Sequence, residues 1–332
     1  MRILITDGMD KAAMAQLREL GHEVVEQFYE PDQLGAALRD FDAVVVRSKT
    51  KVRANHIDEA KGGKLKLIIR GGVGVDNIDV KYAEENGIAV RNTPGASSQS
   101  VAELAMGHMF ACTRYISIAG HTMREGKWEK KAYGKGIELQ GKTLGIIGFG
   151  RIGQHLGVMA KAIGMNVVAY STTRRPEVEA KFGIPYVTLE ELLAQSDFIS
   201  LHAPAAPGAP LINADTIAKM KDGVVFIDNA RGELVDIDAI TEAVESGKFS
   251  ALFMDAFPGE TGIIHVPHNE DIIHTPGMPY FKLKYLRSFV NVYHTPHMAF
   301  FTEEAAEQMA ECGVNSIYEI LTDGKSSHEI PC

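Results

Sequence analysis

The feature that most constrains this chain is an alternation that occurs twice. Short β-branched apolar runs, four to six residues long where best defined, alternate with amphipathic stretches across the first ninety residues and again from Thr143 onward. The first set is Ile3–Thr6, Val24–Val25, Ala43–Val46, Leu65–Ile69 and Ile88–Val90. The second is Thr143–Gly148, Val167–Tyr170, Phe198–Leu201, Val224–Ile227 and Ala251–Met254. Continuous apolar runs read as parallel strands covered on both faces, because a strand with one wet face would alternate. Parallel strands need crossovers, and the stretches between the runs carry helix endings. Met9–Leu20 stops at Gly21, Thr188-Leu189-Glu190-Glu191 fits a capping box, and Gly164 and Gly247 stand at C-cap positions. The predicted fold class is α/β, with two doubly wound parallel-sheet domains of the Rossmann or flavodoxin-like kind. A length of 332 residues agrees with two domains at about 150 residues each.

Two segments interrupt the pattern. Asn92-Thr93-Pro94-Gly95-Ala96-Ser97-Ser98 reads as a linker, and a single helical stretch from about Gln99 to Glu125 is expected after it. His265–Pro296 has few periodic features and several prolines. A final helix is expected from Thr302-Glu303-Glu304 to about Leu321, with acids in its first turn suiting the helix dipole.

Composition excludes several classes. With 45% hydrophobic and 23% charged residues the chain can build a core and is not a disordered segment. Lys+Arg 34 against Asp+Glu 43 leaves a net charge of −9, which disfavours nucleic acid as a partner. No apolar run approaches the roughly 20 residues of a membrane span. Met1-Arg2-Ile3-Leu4-Ile5-Thr6-Asp7 meets an acid after three apolar residues, so no signal peptide is expected. The cysteines Cys112, Cys312 and Cys332 cannot form a disulfide scaffold and fit a reducing cytoplasm. His265, His268, His274 and His294, with Glu270 and Asp271, do not follow a helical or finger spacing, so no metal is expected.

Gly148-Phe149-Gly150-Arg151-Ile152-Gly153 fits G-x-G-x-x-G. The pattern alone also describes any glycine-rich turn. Here a strand runs into it, and a helix over Arg151–Ile163 runs out of it. In that setting Gly148 makes the tight turn, Gly150 lets the backbone approach a pyrophosphate, and Gly153 lets helix and strand pack closely. An acid about 20 residues on usually holds the ribose hydroxyls of NAD. The corresponding segment, Val168-Ala169-Tyr170-Ser171-Thr172-Thr173-Arg174-Arg175, has none. Ser171, Thr172, Arg174 and Arg175 suit a 2′-phosphate, so the expected cofactor is NAD(P), with NADP slightly favoured over NAD.

Three further segments follow the later strands: Asn229-Ala230-Arg231-Gly232-Glu233-Leu234-Val235-Asp236, Asp255-Ala256-Phe257-Pro258-Gly259-Glu260, and Thr295-Pro296-His297. An Arg, a Glu and a His at strand C-terminal ends suit reversible oxidation of a 2-hydroxy acid. The Arg clamps a carboxylate or keto oxygen, the His moves the hydroxyl proton, and the Glu fixes the imidazole tautomer and favours its protonated form.

The order GFGRIG, NARGELVD, MDAFPGE, TPH resembles the D-isomer-specific 2-hydroxyacid dehydrogenase family over nearly the whole chain. The resemblance implies that Arg231, Glu260 and His297 are catalytic. It implies a substrate-binding domain of residues 1–97 plus 296–332, a dinucleotide-binding domain of residues 98–295, and an active site in the cleft between them. It also implies a homodimer formed through the dinucleotide domain, a contact of Asp255 with the nicotinamide amide, and His202 and Pro204 lining the cofactor. The segments Val46-Arg47-Ser48-Lys49-Thr50-Lys51-Val52, Arg70-Gly71-Gly72-Val73-Gly74-Val75-Asp76-Asn77, Asn92-Thr93-Pro94 and Gly126-Lys127-Trp128-Glu129 are similar to the phosphoglycerate dehydrogenase branch. That likeness implies that Arg47 and Arg70 contact an anionic substrate tail and that the N–H groups of Val73 and Gly74 bind the substrate carboxylate. The chain departs from the branch at Ser171, where an acid is expected. His297-Met298-Ala299-Phe300-Phe301-Thr302 instead resembles D-lactate dehydrogenases, and its two rings would narrow the pocket. The expected function is hydride transfer between a nicotinamide cofactor and a small (R)-2-hydroxy acid or 2-keto acid of the 3-phosphoglycerate, hydroxypyruvate or glyoxylate type. The alternatives are a D-lactate-like enzyme for apolar or aromatic 2-keto acids, and a dinucleotide-sensing binding protein of the corepressor type.

Overall fold

The structure is a computed structural model and describes residues 1–93, 95–205, 208–259 and 285–323. The chain divides into two compact units, one from Met1–Ser97 with Phe301–Cys332 and the other from Ser98–Phe300.

The first unit contains β1 (Arg2–Ile5), α1 (Lys11–Glu19), β2 (Glu23–Glu26), α2 (Pro31–Leu38), β3 (Ala43–Val46), α3 (Ala54–Ala60), β4 (Leu67–Arg70), α4 (Val80–Glu85) and β5 (Ala89–Asn92). Its strands form one parallel sheet in the order β2-β1-β3-β4-β5. β3 is buried at every position, as a run of Ala-Val-Val-Val requires. Leu34, Leu38, Val44 and Ile57 belong to the core on one face. On the other, Ile3, Ile5 and Ile69 pack with Ala310, Val314 and Ile317 of the last described helix, α12 (Glu303–Asp323). Thr302 starts that helix by accepting the Ala305 N–H at 3.1 Å.

The second unit contains α5 (Ser98–Arg114), α6 (Ile116–Arg124), β6 (Thr143–Ile147), α7 (Arg151–Ala162), β7 (Asn166–Tyr170), α8 (Pro176–Phe182), α9 (Leu189–Gln195), β8 (Phe198–Leu201), α10 (Ala214–Ala218), β9 (Val224–Asp228), α11 (Ile237–Glu245), β10 (Phe249–Met254) and β11 (Val292–His294). The sheet order is β11-β10-β9-β8-β6-β7, all parallel. Beyond β7 a single parallel bridge, Ala169 to Tyr186, stands where a further strand would lie. The Thr188–Glu191 capping box forms as the sequence predicts, and Gly164 and Gly247 have φ of +86° and +75°.

Two expectations are corrected. The stretch 99–125 is not one helix but α5 and α6, broken at Tyr115, whose φ is +55°. The Thr113 carbonyl accepts the Ile137 N–H at 3.2 Å, and the Tyr115 ring meets Tyr133, so tertiary partners hold the break. β11 was not expected within the irregular stretch. It pairs with β10 from Leu252↔Val292 to Met254↔His294. Three residues are too few for a period to show.

Both sheets change direction beside a central strand: β1 lies between β2 and β3, and β6 between β7 and β8. In open α/β sheets ligands bind outside the strand carboxyl ends at such switch points. Among the described residues no helix is long and apolar enough to cross a membrane.

Candidate active site

The glycine loop leaves β6 at the switch point of the second sheet. Gly148 has φ +96°, and a Cβ there would lie 2.6 Å from the His202 carbonyl carbon and the Ala203 nitrogen, so only glycine fits. A Cβ on Gly153 would lie 2.6 Å from the Gly148 oxygen. Gly150 differs, because a Cβ there would meet nothing within 4 Å. Gly150 is also the N-cap of α7, with no side chain capping the helix. An uncapped helix start beside open space on the Gly150 backbone fits an anionic pyrophosphate. Phe149 is fully buried and meets Tyr186 edge-on at 5.7 Å, which anchors the loop from below. Arg151 is exposed and Ile152 packs against the core.

The residues after β7 do more for this loop than the sequence revealed. Ser171 Oγ accepts the Phe149 N–H at 2.8 Å, and Arg175 Nη2 donates to the Phe149 carbonyl at 3.2 Å. Thr172 and Arg174 are exposed. His202 donates its N–H to the Ile147 carbonyl at 2.7 Å, and its ring Nε2 lies 2.8 Å from Ser200 Oγ. Burial pushes its pKa down to about 4, so the ring is neutral near pH 7. Pro204 is exposed on the following loop.

At the far end of the same sheet, the loops after β9, β10 and β11 are tied together. A Cβ on Gly232 would collide with the Phe257–Pro258 main chain, so glycine lets the Arg231 loop and the Phe257 loop touch. Arg231 is half-buried, and its Nη1 donates to the Ala230 carbonyl at 2.8 Å. The Asp228 carboxylate accepts the Ala230 N–H at 2.9 Å, and the Asp228 carbonyl accepts the Asp255 N–H at 2.9 Å. Asp255, 2% exposed, accepts from the Thr295 hydroxyl at 2.5 Å, the Met298 N–H at 2.9 Å and the Ala299 N–H at 2.9 Å. These donors flank His297 on both sides. His297 itself has φ +50°, a left-handed value that non-glycine residues rarely adopt. Its ring meets that of Phe300 edge-on at 6.2 Å. Glu260 lies outside the described residues. Sequence reasoning missed Asp228 and Asn229. Both amide atoms of Asn229 are buried without a hydrogen-bond partner among the described residues, two positions before Arg231.

The first unit carries the other expected residues at the carboxyl ends of its strands. Asp7, after β1, accepts the Arg47 N–H at 2.7 Å, the Thr50 N–H at 3.0 Å and the Thr50 hydroxyl at 2.6 Å. Asn77 donates to the Arg47 and Thr50 carbonyls, both at 2.7 Å. The loop after β3 is thus fixed from both sides. Arg47 is half-buried. Burial lowers its pKa from the ordinary value, with Asp7 acting in the opposite sense. Arg70 folds back over Gly72, where any Cβ would strike its guanidinium, and donates to the Gly71 carbonyl at 2.8 Å and to Ser48 Oγ at 3.2 Å. The next residues, Val73 and Gly74, form a partly exposed loop.

The sequence matches the family described as D-isomer specific 2-hydroxyacid dehydrogenase, NAD binding domain, over residues 106–299. It is 44% identical to the hydroxypyruvate reductase of Thermotoga maritima over 322 residues, covering 96% of this chain and 98% of that protein. It is 40% identical to the D-3-phosphoglycerate dehydrogenase of Methanocaldococcus jannaschii over 323 residues, covering 97% of this chain and 57% of that protein, so it spans little more than half of the second relative. The structure also resembles the crystal structure of the Aquifex aeolicus D-lactate dehydrogenase complexed with NAD and lactic acid. There the TM-score is 0.83 and the identity 28%, over 99% of this chain and 100% of that one. Similarity of this extent makes the chain a member of the D-isomer specific 2-hydroxyacid dehydrogenase family, and with it an oxidoreductase that uses a nicotinamide cofactor.

Proposed function

We propose that the protein interconverts a small 2-keto acid and its (R)-2-hydroxy acid, and that the substrate carries a polar or anionic tail, as in hydroxypyruvate or its phosphorylated counterpart. The observation that carries the tail preference is the pair of arginines, Arg47 and Arg70, joined through Ser48 at the strand ends of the first unit. The hydroxypyruvate reductase relative agrees with this class.

The glycine loop, from Gly148 to Gly153, would hold the pyrophosphate, with His202 and Pro204 beside the cofactor. Bound nicotinamide dinucleotide supplies or accepts the hydride. The chain's own residues do the rest. The N–H groups of Val73 and Gly74 hold the substrate carboxylate, and Arg231 donates to the keto oxygen and polarises it. In reduction His297 delivers its proton to that oxygen as negative charge develops there, and in oxidation it takes the hydroxyl proton back. Glu260 keeps the imidazole in one tautomer and favours its protonated form. Asp255 fixes the turn carrying His297 and would lie beside the nicotinamide amide of a bound cofactor.

For the cofactor, the segment after β7 lacks an acid that would repel a 2′-phosphate, and Thr172 and Arg174 are exposed beside the loop, so NADP is favoured over NAD. For assembly, the second unit presents Phe110, Ile116, Met123, Trp128 and Ile137 as exposed apolar side chains, Trp128 at 80%. A homodimer through this unit would cover them.

A second reading has one observation in its favour. Phe300 stands against the His297 ring, which suits an apolar or aromatic 2-keto acid of the D-lactate type. Steady-state kcat/KM for glyoxylate, pyruvate, hydroxypyruvate, 3-phosphohydroxypyruvate and phenylpyruvate, each with NADH and NADPH, tests both readings. Highest kcat/KM on a polar-tailed acid is the expected result. A preference for phenylpyruvate would overturn it in favour of the second.

A further inference from the structure

We infer that Phe301 is a positioning residue for tail recognition, its ring lying against the Arg47 guanidinium so that the in-plane N–H donors of that group are presented to the substrate tail. The inference rests on the proposed role of Arg47 and adds a residue to it. Phe301 is 62% exposed, so burial in a core does not account for a phenyl ring at this position. Its ring centroid lies 5.9 Å from Arg47 Cζ, within reach of a cation–π contact. The main chain of Arg47 is fixed at both its N–H and its carbonyl, by Asp7 and Asn77.

A ring engages the π face of a guanidinium and leaves its forked donors in the plane available to a carboxylate or phosphate. The Arg47 guanidinium is in addition partly desolvated by burial. A half-desolvated, pre-aimed cation binds an anion more strongly than one waving in water. The same loop repeats the device. Lys49 Nζ sits 3.8 Å above the Phe28 ring, and Ser48 between the two cations accepts from Arg70. Three cations thus gather at one loop of a chain with a net charge of −9. An aromatic ring backs two of them.

The test compares kcat and KM for 3-phosphohydroxypyruvate, hydroxypyruvate and glyoxylate, the last having no tail, in the wild type and in Phe301→Ala, Phe301→Leu, Phe301→Tyr, Arg47→Ala and the Arg47→Ala/Phe301→Ala pair. Phe301→Ala is expected to raise KM for the phosphorylated acid by about three- to tenfold and to leave glyoxylate within about twofold. Phe301→Tyr restores the ring and the KM, Phe301→Leu does not, and the double variant loses no more than Arg47→Ala. Equal losses on all three substrates, full function in Phe301→Leu, or better use of the phosphorylated acid by Phe301→Ala would each overturn the inference. The last would show that the ring obstructs Arg47. If Arg47→Ala fails to distinguish phosphorylated acid from glyoxylate, the proposed role of Arg47 falls and this inference with it. If Arg47→Ala distinguishes them and Phe301→Ala does not, only this inference falls.

Discussion

At the scale of single residues, the proposed mechanism places the proton transfer on His297. Its left-handed backbone is held by main-chain hydrogen bonds from the next two residues, Met298 and Ala299, to Asp255. His297→Asn keeps a similar shape and removes the titrating ring. It is expected to lower kcat by about 10²–10⁴-fold, while dinucleotide binding, followed by fluorescence titration, stays near that of the wild type. A variant with normal kcat would end the assignment. Ser171 gives a second test at this scale. Its hydroxyl accepts the Phe149 N–H, and an aspartate could accept the same N–H while repelling a 2′-phosphate. Ser171→Asp is therefore expected to keep the loop and shift kcat/KM toward NADH by tenfold or more, as a charge-assisted bond of about 1.5–3 kcal/mol implies. Arg174→Ala is expected to weaken NADPH alone. Ser171→Ala, which leaves the Phe149 N–H without its acceptor, should weaken both cofactors alike. A wild type that prefers NADH tenfold would refute the NADP reading.

At the scale of elements, the loops after β9, β10 and β11 act as one piece through Asp255. Asp255→Asn replaces an all-acceptor group by one that also carries an NH₂, so at least one buried donor near His297 loses its acceptor. The cost is about 1–3 kcal/mol. The expected result is a lower thermal midpoint together with a lower kcat; unchanged values of both would show that the turn holds without the carboxylate. This coupling was not legible in the sequence, because the three donors lie 40 to 44 residues beyond Asp255. What was legible shares one property: it repeats or it is local. The ten longer strands showed as apolar runs, the Thr188 box as a four-residue pattern, and the glycine loop as a motif between strand and helix. The break at Tyr115 depends on Ile137 and Tyr133, β11 is too short to carry a period, and the partner of Ser171 is a backbone N–H 22 residues earlier. Each was fixed by a contact distant in the chain. Motif order singles out Arg231 and His297 as candidates, whereas the Gly232–Phe257 approach that ties the Arg231 loop to the segment before Glu260 was visible only in three dimensions.

At the scale of the whole molecule, stability should depend on pH through histidines that the fold keeps neutral. His108 stacks on Phe253 with ring centroids 3.5 Å apart, His202 sits at the exit of β8, and His294 lies on β11 with both ring nitrogens unpartnered among the described residues. Burial is the largest cause in each case, joined for His294 by the positive charge of Arg287, and all three pKa values fall to about 4 from 6.5. The sign follows directly. In the unfolded chain these rings take up protons as pH falls through about 6.5, while in the folded chain they resist until about 4. The unfolded state binds more protons between those values, so folding stability is intact above pH 6.5 and is lost as pH drops toward 4. Below that, both forms are protonated and the loss levels off. Each histidine contributes on the order of 1 kcal/mol per pH unit in this window. Burial raises Cys112 and Tyr293 to about 12, so both stay neutral throughout the window and add nothing. All three histidines belong to the second unit, whereas in the first unit burial also lowers His22, but less strongly. Acid should therefore melt that unit first, and calorimetry should resolve an early transition that dinucleotide raises. Thermal midpoints are to be compared at pH 7 and pH 5 at fixed ionic strength, in the wild type and in His108→Phe, which keeps a ring against Phe253 but cannot titrate. The midpoint should drop at pH 5 in both, and less in His108→Phe. Equal midpoints at the two pH values in the wild type would mean that water reaches these rings in the folded state and that their burial does not govern acid stability.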